Sequence, residues 1–247
     1  MTIADQPPPY DGVVFDCDST LSRIEGIEEL ARIAGAHLEE LRRLTAQAMD
    51  GNVPLEEVYG RRLVLVEPSR GDVARVGERY VEEALPNAGR LVAALRALGK
   101  RVAVVSGGVT PAVARLAAEL GVEAEDVYAV DLVFDESGGY AGFDEASPLA
   151  RAGGKIEVLR RLAAEVGGPL AFVGDGATDL EAAHLAARFV AFGGVERRAA
   201  VFDAAAVTCA DPDLAALVPL LLTEGEIDRL RADEEHAPLV HAAGRFV

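Results

Sequence analysis

Cysteine is scarce in this 247-residue sequence, and long hydrophobic runs are missing. The two cysteines are Cys17, which lies inside an apolar run, and Cys209. Two are too few for the disulfide framework of a secreted protein, so we expect a cytoplasmic protein in a reducing environment. Apolar runs such as residues 214–222 are too short to span a membrane, and the first residues lack the basic start and apolar stretch of a signal peptide. We therefore expect neither export nor membrane anchoring.

Positive charge is also in short supply. The sequence has 24 basic and 41 acidic residues, a formal net charge of -17. This excess of negative charge disfavours nucleic acids and anionic membranes as partners. We expect a small molecule as the partner, and an anionic one would need a local cationic pocket. We expect a monomer or a homodimer.

Histidine is rare, and its four positions, His37, His184, His236 and His241, lie outside every motif described below. A zinc hydrolase or a phosphohistidine mechanism therefore has no support in the sequence. By contrast, half of the residues are hydrophobic, which is enough to build a substantial core.

Short apolar segments alternate with helix-like segments along much of the chain. This alternation predicts an α/β fold with a parallel sheet. The helix-like segments include residues 86–100, with proline near the start and glycine near the end, and residues 154–168. The predicted strands are residues 13–15, 102–105, 170–173, 189–192 and 204–207.

Residues 21–85 interrupt the alternation, because their apolar residues recur at helical spacing. We interpret this segment as a helical cap inserted after the first strand, where ligands of open α/β sheets bind. Residues 1–20 and 86–247 then form the core. Within the core, residues 132–143 read as two short strands joined by a glycine-containing turn, which predicts a β-hairpin.

The first predicted strand ends in two carboxylates, Asp16 and Asp18. A carboxylate can attack phosphorus to form an acyl phosphate, and a neighbouring carboxyl group can protonate the leaving alkoxide and then activate water. Asp16 is the candidate nucleophile and Asp18 the candidate acid/base. Taken alone, the pair also fits a solvated turn after a strand.

Two further groups suit a phosphate. Ser106, Gly107 and Gly108 follow the second predicted strand, where small residues let backbone N–H groups and the serine hydroxyl approach an anion. Lys155 stands at the start of a helix, where a cation is unfavourable unless an anion is near. Taken alone, the segment from Ser106 to Gly108 also fits a tight turn between a strand and a helix, and Lys155 also fits a solvated surface lysine.

A fourth group, Asp175 and Asp179, follows another predicted strand. Magnesium prefers a few carboxylates together with waters and substrate oxygens. Asp16, Asp175 and the backbone carbonyl of Asp18 would supply that set. Three roles fit Asp179: a direct metal ligand, a residue that contacts the ligands without binding the metal, or a helix cap. Because all four groups follow predicted strands or begin helices in one α/β pattern, we predict a magnesium-dependent phosphoryl-transfer site.

These motifs resemble those of the haloacid dehalogenase-like superfamily, whose aspartate pair, serine, lysine and second aspartate pair occur here in the same order. Within it, residues 13–194 look most like the branch that hydrolyses phosphoserine. The segments that carry this narrower likeness are FDCDST with EGIEELA, AMDGNVPLEEVYGRRLVLVEPS, VVSGGV, GYAGFDEASPLARAGGK, and GDGATDLEAA with FVAFGG. The resemblance implies a Rossmann-like core with a small helical cap, dependence on Mg2+, and hydrolysis of O-phosphoserine as the last step of serine biosynthesis.

The resemblance also implies roles for four further residues. Glu25 matches the residue facing the substrate ammonium, and Arg62 the one facing its carboxylate. Met49 matches a pocket wall, and Thr178 a position near the substrate. Phosphoserine carries both an ammonium and a carboxylate, so an acidic and a basic cap residue suit it. Without the resemblance, Glu25 and Arg62 also fit a helix-surface pair, and Met49 a core residue.

Three alternatives remain at this point. A related phosphatase or phosphotransferase would use the same core on another small phosphomonoester. A non-catalytic phosphoacceptor module would also gather carboxylates around magnesium, but it needs neither Asp18 as a proton donor nor a long cap. A binding protein that has lost turnover is the third.

Overall fold

The computed structural model describes residues 5–35, 38–49, 53 and 55–246. These residues form eight β-strands and twelve α-helices. The strands are β1 Gly12–Phe15, β2 Arg101–Val109, β3 Val127–Val130, β4 Leu132–Phe134, β5 Tyr140–Phe143, β6 Leu170–Gly174, β7 Arg188–Phe192 and β8 Val207–Cys209. The helices are α1 Gly26–Ala34, α2 Leu38–Met49, α3 Leu55–Val66, α4 Arg70–Glu82, α5 Ala88–Ala97, α6 Thr110–Leu120, α7 Gly154–Val166, α8 Ala177–Ala182, α9 Ala199–Ala204, α10 Val218–Leu221, α11 Glu224–Ala232 and α12 Ala237–Ala243. In this part of the chain, every helix is too short or too polar to cross a membrane.

Six strands form one parallel sheet in the order β3-β2-β1-β6-β7-β8. The short strand β1 lies at its centre, where Val13 pairs with Val102 of β2 and with Ala171 of β6. All residues of β1 and β6 are buried, as expected for strands covered by helices on both faces. The predicted α/β architecture is confirmed.

The smaller elements confirm some predictions and correct one. The predicted hairpin at residues 132–143 is present as the antiparallel pair β4 and β5. The predicted strand at residues 204–207 is wrong, because Ala204 ends helix α9 and the strand begins at Val207. The alanine-rich segment before Val207 favours helix over strand. Strand β3 was not predicted, because three of its four residues are only partly buried and give no apolar run.

Helices α1 to α4 follow β1 and occupy the predicted cap. The two ends of this segment meet, because Ser22 and Ala84 form an antiparallel bridge and the Leu85 N–H donates a 2.9 Å hydrogen bond to the Leu21 carbonyl. The segment therefore leaves the core and returns to it at almost the same point. The division of the chain at residues 21–85 stays a prediction.

Helix α4 packs directly on helix α6 of the core. It begins with a capping box, in which Ser69 and Asp72 bond reciprocally. Its buried face includes Val76, Gly77 and Tyr80. A Cβ atom added to Gly77 would lie 3.0 Å from the Cβ of Arg115 on α6, so the two helices approach closely only because glycine stands there. One helix of the cap is thus joined firmly to the core.

Candidate active site

The sheet order brings the predicted groups to one edge. Strand β1 lies between β2 and β6, so the chain crosses from one side of β1 to the other, and ligands of α/β sheets bind at such a point. Asp16 and Asp18 follow β1, Ser106 lies in the last part of β2, and Asp175 follows β6. These four side chains line one pocket.

Lys155, the second residue of α7, also lines this pocket. Its Nζ lies 2.8 Å from Oδ1 of Asp16 and 2.6 Å from Oδ1 of Asp179. Burial alone would lower the pKa of Lys155, but these two carboxylates raise it above its usual value. The ammonium is therefore charged and held against the candidate nucleophile.

The segment around Ser106 belongs to an irregular part of β2. The pairing of β2 with β3 shifts register between Val105 and Val109, and helix α6 begins at Thr110. The N–H of Gly108 donates a 2.9 Å hydrogen bond to Oγ of Ser106. Gly107 and Ser106 both line the pocket, so a bent strand end, rather than a separate turn, presents them.

Asp18 accepts two hydrogen bonds from the cap. The hydroxyl of Tyr80 donates to Oδ1, and the N–H of Gly26 donates to Oδ2 over 3.2 Å. Burial raises the pKa of Asp18 to about 8, and the negative charges of Glu25 and Asp16 act in the same direction. A carboxyl group that keeps its proton near neutral pH is suited to general acid catalysis.

Three buried carboxylates, Asp16, Asp175 and Asp179, offer oxygens that lie within 4.8 Å of one another. Burial raises the pKa of Asp175 well above its ordinary value, and the charges of Asp16 and Glu25 add to this effect. A divalent cation would relieve this concentration of negative charge, and oxygen donors suit magnesium. The residues present therefore fit a metal ion.

Asp179 has a second set of contacts. Its Oδ1 accepts a hydrogen bond from Lys155, and its Oδ2 accepts one of 2.9 Å from the N–H of Gly176. Burial is the main cause that raises the pKa of Asp179 to about 7. Asp179 thus orients Lys155 and caps helix α8 from within the acidic cluster.

The structure also brings Glu25 and Arg62 of the cap, with Thr178 of the core, to the pocket. Oε1 of Glu25 accepts a 2.8 Å hydrogen bond from the hydroxyl of Ser19, and burial raises the pKa of Glu25. Arg62 is only 4% exposed, and burial lowers its pKa. Met49 is the last residue of α2, and its side chain lies outside the described part of the chain.

The sequence motifs missed Arg198, which precedes helix α9. Its Nε lies 3.0 Å from Oδ2 of Asp175, and its Nη2 lies 3.3 Å from Oε1 of Glu25. Arg198 therefore joins the acidic cluster of the core to the cap. Its position in the loop after β7, at the same sheet edge as the other groups, was the signal that could have found it.

Two tyrosines of the cap were also missed. Tyr59 on α3 donates a 2.9 Å hydrogen bond to the carbonyl of Gly107, and its ring centre lies 5.3 Å from the guanidinium carbon of Arg62. Tyr80 on α4 bonds to Asp18. The spacing of Val73, Val76 and Tyr80 places Tyr80 on a buried face, where a tyrosine hydroxyl needs a partner.

Comparison with known proteins gives the class of this protein. The haloacid dehalogenase-like hydrolase family matches residues 13–184, which is more than half of the chain. The chain therefore belongs to the haloacid dehalogenase-like hydrolase family.

Two individual relatives and one solved structure show which members of the family the chain is similar to. Over 194 residues the chain is 39% identical to human phosphoserine phosphatase, an alignment that covers 78% of this chain and 86% of the relative. Phosphoserine phosphatase of Drosophila melanogaster is 38% identical over 184 residues, covering 74% of this chain and 68% of the relative. A solved phospho-aspartyl intermediate analogue of phosphoserine phosphatase superposes with a TM-score of 0.73 at 27% identity, covering 87% of this chain and 100% of that one.

Proposed function

We propose that this protein hydrolyses O-phosphoserine to serine and inorganic phosphate, as the last step of serine biosynthesis, through an aspartyl phosphate on Asp16. One observation carries the proposal: Asp16, Asp18 and Lys155 share a pocket with an acidic and a basic cap residue, Glu25 and Arg62. The activity carried in the names of the relatives supports the same substrate.

The proposed roles follow from the chemistry of phosphoserine. Its phosphate is bound by Lys155, by the hydroxyl of Ser106 and by the backbone N–H of Gly107, while the N–H of Gly108 bonds to Oγ of Ser106 and holds it in place. Its carboxylate is bound by the planar guanidinium of Arg62, which can donate two parallel hydrogen bonds. Its ammonium is bound by Glu25. Thr178 lines the same pocket, and the resemblance assigns Met49 to its wall.

The reaction proceeds in two displacements. A carboxylate oxygen of Asp16 attacks phosphorus, the bond from phosphorus to the serine oxygen breaks, and Asp18 gives its proton to the departing alkoxide. Asp18, now a carboxylate, takes a proton from water as the water oxygen attacks the same phosphorus. The bond from phosphorus to Asp16 then breaks, which restores Asp16 and releases phosphate.

We propose Mg2+ as the cofactor, held by Asp16, Asp175 and the backbone carbonyl of Asp18. When bound, it supplies positive charge that offsets the negative charge on the phosphoryl oxygens. Asp179 contributes charge to the cluster and orients Lys155, because one of its oxygens accepts the 2.6 Å bond from Nζ. The small phosphomonoester is the proposed partner. Buried free thiols at Cys17 and Cys209 support a cytoplasmic location.

The direct test of class and substrate measures phosphate release from a panel of phosphomonoesters, with and without magnesium. We expect phosphoserine to be the best substrate and chelation to stop its hydrolysis. A higher kcat/KM for another small phosphomonoester would replace phosphoserine by that ester. Turnover that persists in chelator would contradict the metal assignment.

Substrate recognition by the cap is tested with Arg62→Ala. We expect kcat/KM for phosphoserine to fall by about 10²-fold, because a charge-assisted contact is lost. The loss on 4-nitrophenyl phosphate should be much smaller, because that ester has no carboxylate. Glu25→Ala should show the same substrate-selective pattern.

Arg61→Ala is the matched control, because Arg61 is the exposed neighbour of Arg62 on the same helix. It should leave kcat/KM for both esters near the wild-type value. Equal losses on the two esters for Arg62→Ala and Glu25→Ala would show that these residues support structure rather than recognition.

A further inference from the structure

Asp18 is held by the cap although it belongs to the core. Tyr80, 62 residues away on α4, donates from its hydroxyl to Oδ1, and Gly26, at the first turn of α1, donates from its N–H to Oδ2. Tyr80 is fully buried, and a buried tyrosine hydroxyl requires a hydrogen-bonding partner. For Tyr80 that partner is the candidate acid/base.

The packing around the hydroxyl fixes its position. A Cβ atom added to Gly26 would lie 2.1 Å from the hydroxyl oxygen of Tyr80, and one added to Gly108 would lie 3.4 Å from it. The hydroxyl is therefore enclosed between the start of α1 and the Ser-Gly-Gly segment of β2. Gly77 lies on the same buried face of α4, one turn before Tyr80, and packs closely on α6, so the helix that carries the ring is anchored to the core.

The two hydrogen bonds suit the proton transfers of the proposed reaction. When Asp18 gives its proton to the alkoxide, it becomes a carboxylate, and hydrogen bonds to a carboxylate stabilise that charged form. The same donors restrain the rotation of the carboxyl group. Orientation matters because general acid catalysis requires the proton to lie within hydrogen-bonding reach of the leaving oxygen.

We propose that Tyr80 is a positioning residue for Asp18, whose carboxyl group it holds in the orientation that protonates the leaving alkoxide and then accepts the proton of the attacking water. The proposal deepens the proposed function and rests on it. It predicts an effect that depends on the leaving group. The serine alkoxide needs a proton to depart, whereas 4-nitrophenolate departs without one.

The test is Tyr80→Phe in rapid-mixing, pre-steady-state experiments, in which each of the two esters is in excess over the magnesium-loaded enzyme. We expect release of serine from phosphoserine to slow by about 10-fold to 100-fold. The burst of 4-nitrophenolate should slow far less, while the later steady state slows because water activation also requires Asp18. A structural role would not separate the two esters. Equal slowing on both, or no slowing on either, would overturn the proposal.

Tyr10→Phe is the matched control. Tyr10 is another buried tyrosine, and its hydroxyl bonds to the carbonyl of Gln6 rather than to a pocket residue. It should keep the wild-type rates on both esters. A loss in this variant as large as that in Tyr80→Phe would contradict a specific role for Tyr80.

A double variant shows whether Tyr80 acts through Asp18. The combination of Asp18→Asn and Tyr80→Phe should be no slower on phosphoserine than Asp18→Asn alone, because the group that Tyr80 positions is already disabled. Losses that multiply would overturn the proposal. If the wild type hydrolyses another alkyl phosphate instead of phosphoserine, the substrate assignment fails while the same comparison with that ester still tests Tyr80. If it hydrolyses no phosphate ester, both proposals fail.

Discussion

The core and the cap neutralise their charges differently. At the sheet edge, Lys155 is paired with Asp16 and Asp179, and all three residues belong to the core. In the cap, Glu25 bonds to Ser19 and pairs with Arg198, both of which belong to the core. The charged group around Lys155 is thus complete within the core, whereas Glu25, which faces the pocket from the cap, finds its charged partner in the core.

This difference in charge pairing fits a division of work, in which the core carries the phosphoryl chemistry and the cap selects the ester. The groups that we propose act on phosphorus lie at the ends of the parallel strands or in buried ion pairs, so they keep their geometry without help from the substrate. The groups that we propose select the substrate, Glu25 and Arg62, lie at the start of α1 and on α3, outside the parallel sheet. Changes in the core should therefore affect every phosphate ester, and changes in the cap should affect esters selectively.

The largest effect is expected from Asp16→Asn. An amide cannot form the acyl phosphate, so turnover of phosphoserine and of 4-nitrophenyl phosphate should fall by about 10⁴-fold or more. Phosphate release measures the loss, and thermal unfolding should show an intact fold. Asp11→Asn is the control, because Asp11 is exposed and lies just before β1, at the opposite end of that strand from Asp16. Appreciable activity of Asp16→Asn would exclude the covalent route.

Asp175→Ala should come next. Loss of one carboxylate weakens the acidic cluster, and we expect kcat/KM at a fixed magnesium concentration to fall on the order of 10³-fold for both esters. Calorimetric titration should show weaker magnesium binding than in the wild type. Unchanged magnesium affinity would remove Asp175 from the metal site.

Asp18→Asn should slow phosphoserine hydrolysis on the order of 10²-fold to 10⁴-fold, because both proton transfers lose their acid/base. Steady-state kinetics measures this loss. Unchanged kinetics would remove Asp18 from the mechanism. The core would then lack the acid/base that the comparison of the two regions assigns to it.

The smallest effect is expected from Tyr59→Phe. The change removes the hydrogen bond from the cap to the carbonyl of Gly107, a loss of about 1 kcal/mol, and keeps the ring beside Arg62. KM for phosphoserine should rise about fivefold with little change in kcat. A fall in kcat on both esters would mean that this contact supports the chemistry of the core, and it would weaken the distinction between the regions.

The sequence was sufficient to predict the polar groups at the carboxyl ends of the strands, because the signals for these groups are local. Asp16, Ser106 and Asp175 each lie at or next to the end of an apolar strand, so a short stretch of sequence reveals both the strand and the group. The contacts of Tyr80, Tyr59 and Arg198 join residues far apart in the chain, and no local motif marks them. Strand β3 and the start of β8 were missed or misplaced because edge strands are short and only partly apolar.

The bridge between Ser22 and Ala84 has a consequence for how this molecule can be rebuilt. The inserted helices leave and re-enter the core at adjacent residues. A segment of different length can therefore be grafted between the same two points without displacing the strands of the sheet. The graft must still retain helix α4, because this helix supplies the hydroxyl that bonds to Asp18. A chimera that exchanges only α2 and α3 also keeps the N–H of Gly26 that bonds to Asp18, so it should acquire the donor's choice of ester and keep the recipient's proton transfer.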